Sequence, residues 1–178
     1  MTITNGQNAD AGDFITASAG AGSAGKVAKL DAAGKHDASF KKIFGCKVYQ
    51  NSSSSTGSGS YSIQNFQLEE FDTDSMHENV SHPDRITFNT AGYYLVGATI
   101  GLGTSVTGGL RIVLNSSTTI GGGSTTNNGG AVTTHATGSL VRHFAANDYI
   151  TVGCSTNGAS SSSGDERTNF WAILLQAD

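Results

Sequence analysis

Between Arg85 and Leu102 the chain reads RITFNTAGYYLVGATIGL, and this stretch limits the fold more than any other. Ile86 and Phe88 alternate around Thr87, the period-two pattern of a half-buried strand. Asn89, Thr90, Ala91 and Gly92 then break the pattern with turn chemistry. From Tyr93 to Ile100 every residue is aromatic, aliphatic, β-branched or small, without a charge or a proline. Such a strand is covered on both faces, by a core on one side and by a core or a partner on the other.

The rest of the chain from Gly45 onward supplies more strands of the same kind. CKVYQ (46–50) alternates, and GGLRIVLN (108–115) sets Leu110, Ile112 and Leu114 on one face against Arg111 and Val113 on the other. YITVGCST (149–156) sets Ile150, Val152 and Cys154 against Tyr149, Thr151 and Gly153, after a turn at AAND (145–148). RTNFWAILLQAD ends the chain in a strand centred on Trp171 to Leu175. SIQNFQLEEF (62–71) slips by one in its alternation, which predicts a strand with a bulge. AVTTHATGSLVRHF (131–144) reads as one long strand or as a pair hinged at Gly138. SSTTIGGGSTTNNGG (116–130) reads as a strand fragment over Thr118 to Ile120 followed by a glycine-rich loop. Short strands, many glycines, one proline and no helical period predict an all-β sandwich of jelly-roll type over residues 45–178.

Charged residues make up 13% of the chain, about half the usual share, and Ser, Thr, Asn and Gly take their places. The net charge of -4, with no compensating basic cluster, argues against a nucleic-acid partner. No apolar run is long enough to span a membrane, and the first residues, MTITNGQNADAGDF, lack the basic and apolar parts of a signal peptide. For Cys46 and Cys154 a structural disulfide stays open, although two buried free thiols suit a chain without a secretion signal better.

Residues 1–44 differ in character. TASAGAGSAG (16–25) can bury almost nothing, and the apolar residues around it are isolated: Phe14, Ile15, Val27, Leu30 and Phe40. A segment of this kind has too little apolar surface to offset its chain entropy alone, so it is expected to act as an extended arm held by other subunits or a larger assembly. Gly20, Gly22 and Gly25 match a dinucleotide-binding glycine pattern, and Gly20, Gly25 and Lys26 nearly match a phosphate-binding loop. Both motifs need a buried strand before them and a helix after, and neither is legible here, so no nucleotide or other cofactor is expected.

Asp72, Asp74, His77, Glu78 and His82 form the one metal-like constellation, in the polar loop 72–84. Their spacing lacks the glycine and terminal glutamate of an EF-hand, and the tighter set that zinc prefers, so turn-capping acids in a solvated loop are the expectation and no metal is assigned. No G-x-S-x-G elbow is present, His77, His82, His135 and His143 have no evident nucleophile partner, and the adjacent Glu69 and Glu70 would point to opposite faces of a strand. No catalytic residue is assigned, and the chain is read as a non-enzyme.

Three segments together resemble one family. NTAGYYLV resembles the p-G-x-Y-x-F strand of the globular head of complement component q and the tumour-necrosis-factor jelly roll, with Gly92, Tyr94 and Val96 at the matching positions. SLVRHFAANDYITV resembles the turn and following strand of that family, with Asn147 and Asp148 in the turn, and TNFWAILLQAD resembles its closing strand. FDTDSMHENVSHPDRITFNTAGYYLV also looks like jelly-roll domains of bacteriophage origin, so the resemblance spans roughly residues 62–178. AGKVAKLDAAGKHDASF is similar to a connector, G-K-V-x-K-L-x-x-x-G-K-x-D-x-S-F, found in phage fibre and neck proteins.

The resemblance implies a homotrimer packed around a three-fold axis through the outer face of one sheet, with Tyr94, Val96, Trp171 and Ile173 near the interface. It further implies a structural protein on the surface of a phage virion. Two roles follow: a capsid decoration (cement) protein or head fibre anchored by its N-terminal arm, or a tail or neck appendage that binds a glycan or protein on the host surface. The partners implied are major capsid, neck or tail proteins of the virion.

Overall fold

The computed structural model describes residues 14–15, 27–28, 43–52, 61–102, 107–126, 134–156, 161–162 and 167–178. The chain divides into two compact units, Met1–Ile43 and Phe44–Asp178. In the first, β1 (Phe14–Ile15) and β2 (Val27–Ala28) pair in parallel, with Phe14 opposite Val27.

The second unit is a jelly-roll sandwich of two antiparallel sheets, and its chain passes repeatedly from one to the other. In order the strands are β3 (Gly45–Tyr49), β4 (Ser62–Ile63), β5 (Leu68–Asp72), β6 (Arg85–Thr87), β7 (Gly92–Leu102), β8 (Thr107–Leu114), β9 (Thr118–Thr126), β10 (Thr134–Phe144), β11 (Tyr149–Thr156), β12 (Ser161–Ser162) and β13 (Asn169–Ala177). The six-stranded sheet runs β10-β7-β13-β3-β5, with β12 pairing the end of β7. The five-stranded sheet runs β4-β11-β8-β9, with β6 also on β11. The strand over Tyr93–Ile100 sits inside its sheet, with β10 on one side and β13 on the other.

The core is the set of side chains that alternate inward from both sheets. Tyr94, Val96, Ala98 and Ile100 of β7, with Phe170 and Ala172 of β13, meet Leu110 and Ile112 of β8 and Ile150, Val152 and Cys154 of β11. Phe88 stacks on Phe144 with ring centres 4.0 Å apart and meets Tyr94 edge-on at 4.6 Å. The Tyr94 hydroxyl donates to the Thr90 carbonyl at 2.8 Å, so the ring is buried while its polar end is satisfied. Gln50 and Gln64, both buried, bond to one another at 3.2 Å, and the Thr168 hydroxyl accepts from the Gly101 N–H. The turn after β10 holds Asn147 at a φ of 70° and ties Asp148 to Ala145 and Asn115, which is the turn read at 145–148.

Two local expectations change, and of the two readings of 131–144 the single long strand holds over the described residues. Residues 62–71 are two strands on opposite sheets, because the chain crosses the core at Phe66 between β4 and β5; the register shift falls on β5, where Lys47 faces Phe71 and Val48 faces Glu69. Gly121–Gly123 belong to β9 rather than to a loop. A Cβ on Gly123 would lie 2.0 Å from the Thr137 carbonyl oxygen, so the glycines let β9 close against β10 at this edge. Gly138 is no hinge: β10 runs through it from Thr134 to Phe144, and its missing side chain admits the Gly122 backbone.

Candidate functional site

Strict alternation on the six-stranded sheet gives each strand a second set of side chains, facing away from the core. On β7 these are Tyr93, Leu95, Gly97 and Thr99. Strand pairing sets Val141 of β10, Leu95 of β7 and Ile173 of β13 in one row across the sheet, and Ser139, Gly97, Trp171, Lys47 and Phe71 in the next. A third row is polar at Thr137, Thr99 and Asn169 and continues to Tyr49 of β3 and Leu68 of β5.

Glycine shapes the middle of this face. A Cβ on Gly97 would fall 2.2 Å from the Trp171 ring, so the indole lies across a residue with no side chain of its own. The result is a broad apolar surface built from Tyr93, Leu95, Val141, Trp171 and Ile173. Tyr93 and Val141 are 49% and 59% exposed, and Leu175 at the β13 register shift is 55% exposed. Charge appears at the borders. His143 pairs with Asp178 at 2.9 Å and meets the Tyr93 ring edge-on at 5.1 Å, and Lys47 pairs with Glu70. An apolar centre with a polar rim is the anatomy of a protein interface.

The same topology is found among solved structures. Murine APRIL superposes with a TM-score of 0.61 at 15% identity, covering 75% of this chain and all of that one. The globular domain of zebrafish complement 1qA gives 0.57 at 13% identity, covering 75% and 98%, and Eiger TNF from S. frugiperda gives 0.61 at 12%, covering 76% and 94%. The chain shares the jelly-roll fold of these domains. No protein-family model matches the sequence, and comparison with curated proteins finds no match.

The four residues expected at an interface separate into two pairs. Trp171 and Ile173 lie on the outer face, half-buried by their neighbours. Tyr94 and Val96 are corrected: both are fully buried and fill the core between the sheets. Their neighbours one residue away, Tyr93 and Leu95, are the outward pair, together with Val141 opposite Leu95. Burial pushes the Tyr94 phenol up to about 12, with the nearby Asp74 charge adding to the effect.

Of the arm residues, Phe14, Ile15 and Val27 lie in the short β1–β2 pair of the first unit, and Leu30 and Phe40 lie outside the described residues.

The acids of the 72–84 loop are engaged with that loop and its neighbours. The Asp72 carboxylate accepts from the backbone N–H groups of Asp74 and His77, and Asp74 accepts from the Thr90 hydroxyl. His77 is buried with Nδ1 2.8 Å from the Arg85 carbonyl and Nε2 2.9 Å from that of Phe66. Among the described residues no group of three or more His, Cys, Asp or Glu side chains is placed to hold a metal ion.

Cys46 and Cys154 are free, buried and on different sheets. Burial pushes the Cys154 thiol up to about 11, and burial followed by the charges of Asp72 and Glu69 raises that of Cys46 still further. Both thiols are inert packing groups in this state.

Proposed function

We propose that this protein is a non-enzymatic structural component of a bacteriophage particle, a capsid decoration protein or head fibre. Its jelly rolls associate in threes through the outer face of the six-stranded sheet, and residues 1–43 attach the trimer to the capsid. The observation that carries the reading is the outward apolar face on which Tyr93 and Val141 are exposed and Leu95, Trp171 and Ile173 half-buried, bordered by the His143–Asp178 and Lys47–Glu70 pairs. Fully burying an exposed apolar side chain contributes roughly 1.5–3 kcal/mol; the half-buried Leu95 and Ile173 would each add a part of that at every contact of a three-fold arrangement. Support for the phage context is the resemblance of AGKVAKLDAAGKHDASF to connectors of phage fibre and neck proteins. The weak burying capacity of residues 16–25 supports an attachment role for this segment.

The test is reconstitution on particles of the source phage that lack the protein. The full chain should co-sediment with these particles in multiples of three. A chain lacking residues 1–43 should keep its oligomeric state but remain in the supernatant. Equal co-sedimentation of the two would assign attachment to the jelly roll and overturn the anchoring role of the arm.

A further inference from the structure

Exposed apolar side chains gather at the end of the six-stranded sheet where the chain enters it. Val141 and Tyr93 stand on the outer face, and Leu175 sits at the register shift in β13, where Gln176 pairs with Tyr93. Beside them the Leu174 N–H donates to the Phe44 carbonyl at 2.9 Å. Gly45 pairs with Ile173, so the outer row Val141, Leu95, Ile173 continues onto the first residue of β3. Phe44 is exposed, and Ile43 before it is 62% exposed.

The point of entry is fixed. The Gly45 N–H donates to the Thr73 hydroxyl, and the Gly45 carbonyl accepts from the Thr73 N–H and hydroxyl. A Cβ on Gly45 would lie 2.5 Å from the Ala172 carbonyl oxygen and 2.8 Å from the Ile173 side chain, so β3 starts in close contact with β13. Phe44 is thereby anchored beside the outer face, through its own carbonyl and through Gly45. Neither Ile43 nor Phe44 belongs to the core between the sheets.

The charges at the border bear on what can cover this end. His143 pairs with Asp178 and Lys47 with Glu70, each within one copy. Two such surfaces can meet without setting unpaired like charges against each other, and neither demands an opposite charge from its partner. A second copy of the chain meets that condition.

We propose that the root of the arm, Ile43 and Phe44, is covered by a neighbouring copy when the protein assembles. The inference rests on the assembly reading above and deepens it. The chain passes from residues 1–43 into the jelly roll at the contact between copies, so attachment and association are coupled at this point.

The test attaches an environment-sensitive, thiol-reactive dye to the full chain carrying Ile43→Cys. Cys46 and Cys154 are buried and hold their protons, so the introduced thiol reacts selectively. Ile63→Cys, exposed on β4 of the other sheet, is the comparison. The label at residue 43 should emit at shorter wavelength than the same label in a chain that also carries Ile173→Asp. The label at residue 63 should emit equally in both. Without label, Ile43→Asp should raise the concentration at which the trimer dissociates about 10-fold. It should not abolish the trimer, because the rest of the face stays in place. Equal emission at residue 43 in the two backgrounds, equal shifts at residues 43 and 63, or an unchanged dissociation concentration in Ile43→Asp would overturn the proposal and leave the assembly reading standing. A single-copy mass at every concentration would overturn both.

Discussion

The two sheets share one core but turn opposite surfaces outward. Across β10, β7 and β13 an outer row reads Val141, Leu95, Ile173. Across β4, β11, β8 and β9 an outer row reads Ile63, Gly153, Arg111, Gly122, with the Arg111 guanidinium 3.7 Å over the Tyr61 ring. Both sheets alternate with the same period, and both inner faces are apolar, so folding alone requires neither outer surface. The five-stranded sheet carries mainly small, hydroxyl and cationic groups that water solvates well, with Ile63 as an exposed apolar side chain at its β4 edge. The six-stranded sheet carries Trp171, Ile173 and Leu95, whose exposure costs free energy until something covers them. On the proposed reading, the asymmetry separates what holds one subunit together from what it would present to another.

The largest expected effect comes from breaking the apolar face. Ile173→Asp places a carboxylate in the middle of the outer row and should convert the full chain to monomer in size-exclusion chromatography with light scattering, because an unpaired charge buried at an interface costs several kcal/mol. The corresponding change on the other sheet, Arg111→Asp, should leave the mass unchanged. Equal responses of the two variants would dissolve the distinction between the faces. Trp171 is the single tryptophan of the chain, so its emission reports on this surface directly. It should shift to longer wavelength in Ile173→Asp and stay constant in Arg111→Asp.

Next in size is Gly97→Ala. Its Cβ would meet the Trp171 ring at 2.2 Å, and displacing the indole should cost about 1–3 kcal/mol in urea unfolding. An unchanged midpoint would mean that the indole moves freely.

A smaller effect should appear in alkali. The Cys154 thiol keeps its proton up to about 11 in the folded chain, against 9.0 for a free thiol, so the unfolded chain ionises first. This contribution to stability is complete below pH 9 and is lost as the pH rises through 11. The melting temperature should fall over that window, less steeply in Cys154→Ala; a flat profile would contradict the burial of the thiol. Smallest is Arg111→Ser, which removes a stacked guanidinium from a solvated surface and should cost about 0.5–1 kcal/mol.

Most of the fold was legible because burial on one face leaves a period of two. Leu110, Ile112, Ile150, Val152 and Cys154 all point inward as their alternation requires. The interface residues were harder for the opposite reason. YYLVGATI has no charged residue to fix its phase, so periodicity predicts a doubly covered strand without saying which of Tyr93 and Tyr94 faces the core. The glycines at 121–123 looked like loop because their purpose, close approach to Thr137, exists only once the sheets are packed. The 72–84 loop is legible as turn-capping acids, since the Asp72 carboxylate accepts from the N–H groups of Asp74 and His77, but the burial of His77 is not, because it depends on carbonyls eight and eleven residues away. Short-range pattern reports which residues are buried together. It does not report the long-range contacts that bury a residue within a loop.

Sedimentation equilibrium of the full chain tests the central claim most directly. The account predicts a mass three times the 18.2 kDa of one chain, falling to that of a single chain in Ile173→Asp. A mass of 18.2 kDa at every concentration, or a trimer that Ile173→Asp leaves intact, would contradict it.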